Sequence, residues 1–353
     1  MLRIKGLEVQ VPGFQLGPID LEVPEGEFFA LIGPTGSGKS LFLETIMGLL
    51  PRNVLAHRGE IGWKGREISA LPPHRRGIGI LYQDSALFPH MTVEENIRYG
   101  LRYHKIQRDE AERRFRFLVE RFEIDRILHR SPVRISGGER QRVALARVLI
   151  LNPQIVMLDE PLSAIDPLFR QEIRSLLRQL HAELGLTFIM VSHNFDEVLY
   201  LAGKGAIIKK GRVIQTGDIK DIFNRPSSVF VAKFVGAKNI FEARCCGNSL
   251  LKAGGLEIRA ASSCKRKATY ISLRPEKLMP LSAYGSETRP ENCFRGKIQE
   301  ISKTNFHLNL TIRAGGLAFY AIWPEQMVAH LGLEVGSEVE FGFRAKDVNL
   351  FSG

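Results

Sequence analysis

The chain has 353 residues, which is enough for two domains that each bury a hydrophobic core. A hydrophobic fraction of 44% with 25% charged residues is typical of a globular protein and excludes a disordered chain. The net charge of +11 fits polyanionic partners, although a basic surface without such partners fits equally well. No apolar run approaches the roughly 18 to 20 residues that cross a bilayer, and the N-terminus lacks a secretion signal. We therefore expect a cytoplasmic protein without a transmembrane segment.

Short apolar strands alternate with helical patterns over roughly the first 230 residues, which indicates an α/β domain with a largely parallel sheet. The strand candidates are residues 27–32, 77–81, 154–158 and 187–191, followed by a hairpin over 206–215. Strand patterns stop near residue 84, where charged helical segments replace them. We therefore predict an α/β domain over residues 1–235, with a helical subdomain at about 84–150.

The C-terminal third has a different character. Short β-rich runs recur at 268–273, 294–301, 307–312, 317–322 and 338–343, and no long amphipathic helix separates them. This pattern predicts an all-β, OB-like barrel over residues 236–353. All four cysteines lie here, and we expect reduced thiols, because few cysteines in a large intracellular chain argue against a disulfide framework. They are Cys245, Cys246, Cys264 and Cys293.

A glycine-rich loop joins the strand candidate 27–32 to a helical pattern. Its residues fit GxxxxGK[ST] and are Gly33, Pro34, Thr35, Gly36, Ser37, Gly38, Lys39 and Ser40. Glycines let such a loop wrap closely around phosphate, so that backbone N–H groups and a helix N-terminus point at the anion. Lys39 would add a positive charge at the β- and γ-phosphates, and the Ser40 hydroxyl would bind Mg²⁺. The loop predicts nucleotide binding without identifying the class of protein.

A second motif is the apolar run at 155–158, which ends in Asp159 and Glu160. In an open α/β sheet, the carboxyl end of a buried strand lies at the phosphate crevice. We therefore expect Asp159 to hold Mg²⁺, and Glu160 to act as the general base or to orient the water that attacks the γ-phosphate.

The third motif is Ser136-Gly137-Gly138-Glu139, which opens an amphipathic helix and so offers free N–H groups and a helix dipole to an anion. This stretch resembles the signature motif of ABC ATPases, and it precedes the Asp-Glu strand at the distance usual in that family. The family usually has Leu and Gln where this chain has Ile135 and Glu139, so a carboxylate stands near a phosphate site. The resemblance implies the ABC type of α/β P-loop NTPase fold and ATP hydrolysis.

Further positions resemble the landmarks of the same family in the same order. Gln83 resembles the Q-loop glutamine that senses Mg²⁺ and the attacking water, and His193 resembles the switch histidine that contacts the γ-phosphate. Ser163 and Asp166 resemble the D-loop, whose four residues here include Ala164. Phe14 is the candidate aromatic that stacks on adenine.

The resemblance also implies partners. In the family each ATP site is shared between two chains, so that the phosphate loop of one faces Ser136, Gly137, Gly138 and Glu139 of the other, and we expect a homodimer holding two nucleotides. Two transmembrane permease subunits would dock near residues 84–96, where residues 88–91 form an apolar cluster. A solute-binding protein would act through those permeases, and the chain would lie at the cytoplasmic face of the membrane.

Residues 272–276 and 338–348 resemble the TOBE domain of importer ATPases. Residues 33–36, 192–194 and 234–242 are most similar to the molybdate/tungstate branch, while sulfate, ferric iron, polyamine and sugar importers share much of this plan. Ser302, Lys303, Thr304 and Asn305 offer donors for a regulatory oxyanion, although a polar turn between two barrel strands is the simpler explanation of these residues.

Two other functions are compatible with part of the sequence. An exporter subunit seldom carries this β-rich appendage. A nucleic-acid-associated ABC ATPase would use the basic charge and clustered aromatics of the barrel, which are Phe294, Phe306, Phe319, Tyr320 and Trp323. The barrel has no recognisable RNP-type motif, so we expect no nucleic-acid partner.

Overall fold

The computed structural model describes residues 1–163, 165–247, 249–263, 269–284, 288–304 and 307–352. The chain divides into two compact units, Met1–Ile219 and Lys220–Gly353. Among the residues described, no helix is long and apolar enough to cross a membrane.

The described residues of the first unit form ten strands and six α-helices, with short 3-10 helices between them. The strands are β1 (Leu2–Val11), β2 (Phe14–Val23), β3 (Phe28–Ile32), β4 (Ala56–Trp63), β5 (Arg66–Glu67), β6 (Ile78–Leu81), β7 (Ile155–Asp159), β8 (Thr187–Ser192), β9 (Lys204–Lys209) and β10 (Arg212–Asp218). The helices are α1 (Lys39–Met47), α2 (Val93–Arg98), α3 (Arg108–Phe122), α4 (Gly137–Leu149), α5 (Pro167–Leu184) and α6 (Phe195–Leu201).

The central sheet of this unit has the order β10-β9-β3-β8-β7-β6, and all its strands except β10 pair in parallel. Every residue of β3 and β8 is buried, as expected for parallel strands covered on both faces. The register pairs Ile32 with Ser192 and Asp159 with Val191. The carboxyl ends of β3, β8 and β7 therefore lie side by side, and the loops that follow them meet at one edge.

A second, antiparallel sheet of the first unit has the order β2-β1-β4-β5. Alternate residues of β1 and β2 are buried in a hydrophobic core that also contains side chains of α1 and of the central sheet. Helices α2, α3 and α4 lie between β6 and β7 in the sequence, where the sequence predicted a helical insertion.

The second unit is mainly antiparallel β structure. Its strands are β11 (Asn239–Gly247), β12 (Leu250–Ala253), β13 (Leu256–Arg259), β14 (Thr269–Leu273), β15 (Met279–Pro280), β16 (Asn292–Thr304), β17 (His307–Ala314), β18 (Leu317–Pro324), β19 (Glu338–Phe343) and β20 (Asn349–Ser352). They form two five-stranded sheets, β13-β12-β11-β14-β20 and β15-β19-β16-β17-β18. One core joins the sheets and includes the fully buried Phe319, Trp323 and Phe341. The predicted fold class, an α/β unit followed by an all-β unit, is confirmed.

Three short helices accompany these strands: α7 (Ile219–Asn224), α8 (Val229–Phe234) and α9 (Glu325–His330). The guanidinium of Arg274 donates to the carbonyl of Phe223 over 2.7 Å, and the Asn349 amide donates to the carbonyl of Pro226 over 2.9 Å. These bonds attach the residues after 219 to the β unit. The predicted boundary between residues 235 and 236 stays a prediction, while the compact units divide between 219 and 220.

The prediction of four reduced cysteines is wrong, because Cys245 forms a disulfide. Cys246 and Cys293 are free thiols. Cys264 lies outside the described residues, as do Ala164, Ala268, Asn305 and Phe306, which the sequence analysis also singled out. The error arose from inferring the redox state from the compartment expected for the chain.

Candidate active site

The phosphate loop lies between β3 and α1. Gly36 and Gly38 adopt the left-handed conformation, with φ of 75° and 98°, and Gly38 is the N-cap of α1. A Cβ at Gly38 would lie 2.9 Å from the ring of Phe14, so only glycine fits between this ring and the helix. The Phe14 ring therefore borders the phosphate loop.

The Lys39 side chain forms hydrogen bonds with the backbone of this loop. Its ammonium donates to the carbonyls of Gly33 and Pro34 over 2.9 and 3.0 Å. Burial lowers the pKa of Lys39, and the negative charges of Glu160 and Asp159 oppose that effect. The buried hydroxyl oxygen of Ser37 has no hydrogen-bond partner among the described residues. A partly desolvated cation and an unpaired hydroxyl make this loop suited to an anionic ligand.

Asp159 ends β7 opposite the phosphate loop. Burial and the charge of Glu160 raise the pKa of Asp159, while a hydrogen bond from Ser40 and the charge of Lys39 lower it. The structure thus brings together Ser40 and Asp159, two of the three predicted Mg²⁺ ligands. Gln83, the third, is exposed in the loop after β6, the strand that pairs with β7.

Glu160 lies directly after β7 in a left-handed conformation, with φ of 47°. Such backbone strain in a residue other than glycine persists only where the surroundings fix it. Here the Glu160 amide donates to the carbonyl of Val191 over 2.9 Å, and the Ser163 hydroxyl donates to the carbonyl of Glu160 over 2.9 Å. The Glu160 carboxylate lies 3.0 Å from Nδ1 of His193. Two predicted catalytic residues, 33 positions apart in sequence, are therefore in contact.

The signature residues form the N-terminus of α4. Ser136 is the N-cap, and its hydroxyl accepts from the amide of Glu139 over 3.2 Å. The Glu139 carboxylate in turn accepts from the amide of Ser136 over 2.7 Å, which completes a capping box. Ile135, at the position where the family usually has Leu, is buried. Within one chain, no hydrogen bond or ion pair between described residues joins this motif to the phosphate loop.

Asp166 begins the next helix. Its carboxylate accepts from the amide of Leu168 over 2.9 Å, and Pro167 occupies the first turn of α5. The side chains of Leu168 and Phe169 are exposed beside it. Two exposed apolar side chains therefore follow directly after the segment predicted as the D-loop.

Two polar residues near the site were missed by the sequence analysis. Gln141 is buried in α4, where its side chain accepts from the Ser85 hydroxyl and donates to the carbonyl of Pro161 over 2.6 Å. Glu197 is buried in α6 and contacts Ser192. In the sequence, both residues stand among charged neighbours and are typical of a solvated helix surface. Only the spacing of four residues between His193 and Glu197 could have indicated a link.

Comparisons with known proteins agree with this geometry. The model of the ABC transporter family matches residues 16–163. The molybdate/tungstate import ATP-binding protein of Pyrococcus horikoshii is 36% identical over 99% of this chain and 100% of its own length. The chain belongs to the ABC transporter family. As an ATP-binding subunit of this family it is an ATPase, and the resemblance inferred from its motifs is confirmed, including the β-rich C-terminal domain.

Other relatives of this ABC ATPase differ in their named solutes. The spermidine/putrescine import ATP-binding protein of Trichormus variabilis is 34% identical and covers 84% of this chain and 78% of its own length. A solved ATP-binding cassette, described as a dimer in a post-hydrolysis state bound to ADP and phosphate, is 28% identical. It matches 62% of this chain and 99% of its own chain, with a TM-score of 0.54.

Proposed function

We propose that this chain binds and hydrolyses ATP to drive the import of a small oxyanion, molybdate or tungstate. The observation that carries the catalytic part is the convergence of Lys39, Asp159, Glu160 and His193 at the carboxyl ends of three adjacent strands. The similarity to the Pyrococcus horikoshii protein, which extends over 99% of the chain, supports the choice of solute.

The residues take separate parts in hydrolysis. The phosphate loop, from Gly33 to Ser40, holds the β- and γ-phosphates through its amides and Lys39. The Glu160 carboxylate orients the attacking water and accepts its proton, while His193, 3.0 Å from Glu160, positions that carboxylate beside the γ-phosphate. The ring of Phe14 stacks on adenine.

Mg²⁺ fits the oxygen donors of this site. Ser40, Asp159 and Gln83 offer a hydroxyl, a carboxylate and an amide oxygen, which are ligand types suited to Mg²⁺. When bound, Mg²⁺ neutralises charge on the phosphates. The hydrogen bond between Ser40 and Asp159 places two of these donors at the phosphate loop before the ion binds.

The second half of each site comes from another copy. Gly137 and Gly138 offer free N–H groups in the first turn of α4, Ser136 offers its hydroxyl, and no described residue of their own chain supplies an anion to them. Ser163 and Asp166 would contact the same partner beside the exposed Leu168 and Phe169. We therefore propose a homodimer, two permease subunits near residues 84–96, and a solute-binding protein outside the membrane.

The regulatory role proposed for the second unit has weaker support. Lys303 lies 2.7 Å from the carboxylate of Glu325, and Asn309 donates to the Thr304 hydroxyl over 2.8 Å. A regulatory oxyanion would have to replace Glu325 as the partner of Lys303. The nucleic-acid alternative loses support because Phe319 and Trp323 are in the core, where no base could stack on them.

The solute is tested by uptake. Cells that depend on this chain and its permeases should take up tungstate, and a Lys39→Ala chain should abolish that uptake. The same cells are offered sulfate, ferric iron, spermidine and maltose separately. Uptake of spermidine but not of tungstate would show that the transported solute is a polyamine, while the ATPase assignment would remain.

A further inference from the structure

A buried carboxylate lies behind the proposed catalytic pair. Glu197 occupies the first turn of α6 with 4% of its surface exposed, whereas the neighbouring Asp196 is exposed. Buried carboxylates are costly unless hydrogen-bonded or paired with cations. The helix dipole does not explain this burial, because Asp196 interacts with the dipole equally well from the surface. Glu197 therefore has another structural or functional reason to point inward.

Glu197 fixes the turn that follows β8. The Ser192 hydroxyl donates to the Glu197 carboxylate over 2.9 Å, and the oxygen of the same hydroxyl accepts from the amide of Asn194 over 3.0 Å. The side-chain oxygen of Asn194 accepts from the amides of Asp196 and Glu197 over 2.9 and 3.3 Å. A closed set of hydrogen bonds therefore holds the residues on both sides of His193.

His193 depends on this turn for its orientation. Its side chain is 64% exposed, so packing against the protein does little to fix the imidazole. The ring contacts the Glu160 carboxylate over 3.0 Å, and a backbone shift of about 1 Å would break that bond. A displacement of about 1 Å in an active site, caused by a substitution far from the reacting atoms, reduces the rate by up to about a hundredfold.

Cationic side chains lie near the Glu197 carboxylate. Glu197 and Arg170 line the same small cavity of about 90 Å³, together with Glu160, Ser163 and His193. Burial raises the pKa of Glu197, while the hydrogen bond from Ser192 and the charges of Arg170, His193 and Arg174 lower it. The Nε atom of Arg170 is buried without a hydrogen-bond partner among the described residues, while another nitrogen of the same guanidinium donates to the carbonyl of Ile165 over 3.2 Å.

We propose that Glu197 is a positioning residue for ATP hydrolysis, which acts through Ser192 and the turn at Asn194 to hold His193 against Glu160. This inference rests on the proposed roles of His193 and Glu160. The proposed effect of Glu197 on hydrolysis is therefore indirect.

The test measures kcat and KM for ATP on the full chain with Glu197→Ala, Glu197→Gln, Ser192→Ala and, as the matched control, Asp196→Ala. Glu197→Ala should lower kcat about tenfold to a hundredfold and leave KM within about twofold, because nucleotide binding does not need the turn. Glu197→Gln should recover kcat to within about threefold, because its amide oxygen still accepts from Ser192. Asp196→Ala should behave as the wild type.

A double-mutant cycle with His193→Ala separates positioning from general destabilisation. If Glu197 acts through His193, adding Glu197→Ala to His193→Ala should lower kcat by less than about twofold further. A full additional tenfold loss, or a Glu197→Ala chain with wild-type kcat, would overturn the inference. If Glu197→Ala does not fold, Ser192→Ala takes its place in the cycle with the same expectations. A His193→Ala chain with wild-type kcat would refute the proposed function of His193 itself.

Discussion

Glu160 is held in a strained backbone conformation, and the strain has a clear structural origin. The Glu160 amide donates a hydrogen bond to the carbonyl of Val191, and the Ser163 hydroxyl donates one to the carbonyl of Glu160, so the backbone at Glu160 has little freedom. The carboxylate is directed to His193. Strain of this kind costs about 1–3 kcal/mol and is common at sites where a side chain must be pre-oriented. The role proposed for Glu160 therefore depends on its carboxylate as well as on its position.

Replacing this carboxylate by its amide isostere tests the assignment. Glu160→Gln should bind ATP as the wild type does, because the phosphate loop is untouched. Hydrolysis should fall at least about a hundredfold, because an amide cannot accept the proton of the attacking water. Equilibrium binding of ATP and single-turnover hydrolysis are the measurements, and gel filtration should show a dimer that persists in ATP. Hydrolysis at the wild-type rate would remove Glu160 from its role.

At the scale of single residues, the sequence predicts which residues form the site better than it predicts their burial and contacts. GxxxxGK[ST] and the Asp-Glu pair identify Lys39, Asp159 and Glu160, because phosphate binding allows few residue types at these positions. The sequence identifies Phe14 only as a candidate aromatic upstream of the loop, whereas its contact with Gly38 depends on the fold. The burial of Glu197 was not predictable, because Asp196 and Glu197 look alike in a helical first turn.

Among the elements, α4 presents its N-terminus to an anion, and Glu139 modifies it. The capping box satisfies the amides of Ser136 and Glu139 with side chains of the motif itself. A phosphate that approaches from a partner chain meets the negative charge of Glu139, which repels it over distances comparable to the Debye length.

Glu139→Gln should therefore lower the KM for ATP about threefold or more, because the repulsion disappears. The amide oxygen of glutamine can still accept from Ser136, so the cap should survive and Tm should change by only a few degrees. The measurement is the ATP dependence of hydrolysis at low and high salt, and the advantage of the variant should shrink as salt screens the charge. An unchanged or higher KM at low salt would contradict this account of α4.

The prediction of elements depended on how strongly the local pattern determines each one. The buried strands β3, β7 and β8 were predicted to within about two residues, because continuous apolar runs bounded by turn residues have few other interpretations. The antiparallel sheet formed by β1, β2, β4 and β5 was not separately predicted, because its pairing joins residues distant in sequence. The sequence predicts α7 and α8 as part of the first domain, because the bonds from Arg274 to Phe223 in α7 and from Asn349 to Pro226 join residues distant in sequence.

On the scale of the whole molecule, the two halves of an ATP site lie on different elements of one chain. The phosphate loop, Asp159, Glu160 and His193 meet at the central sheet, whereas Ser136 and its neighbours begin α4 elsewhere in the unit. The sequence indicated this arrangement only through resemblance to a family, because no pattern within one chain specifies an intermolecular contact. A similar solved ATP-binding cassette is described as a dimer, as the proposed homodimer requires.

Complementation between two inactive chains tests the shared site most directly. Lys39→Ala removes the phosphate-loop cation, and Ser136→Arg blocks the opposing surface, so each chain alone should be inactive in single-turnover hydrolysis. In an equal mixture, half of the dimers contain both chains, and each mixed dimer has one site with neither defect, so about a quarter of the wild-type burst should return. A mixture as inactive as its components, or a Ser136→Arg chain with wild-type activity, would contradict the account.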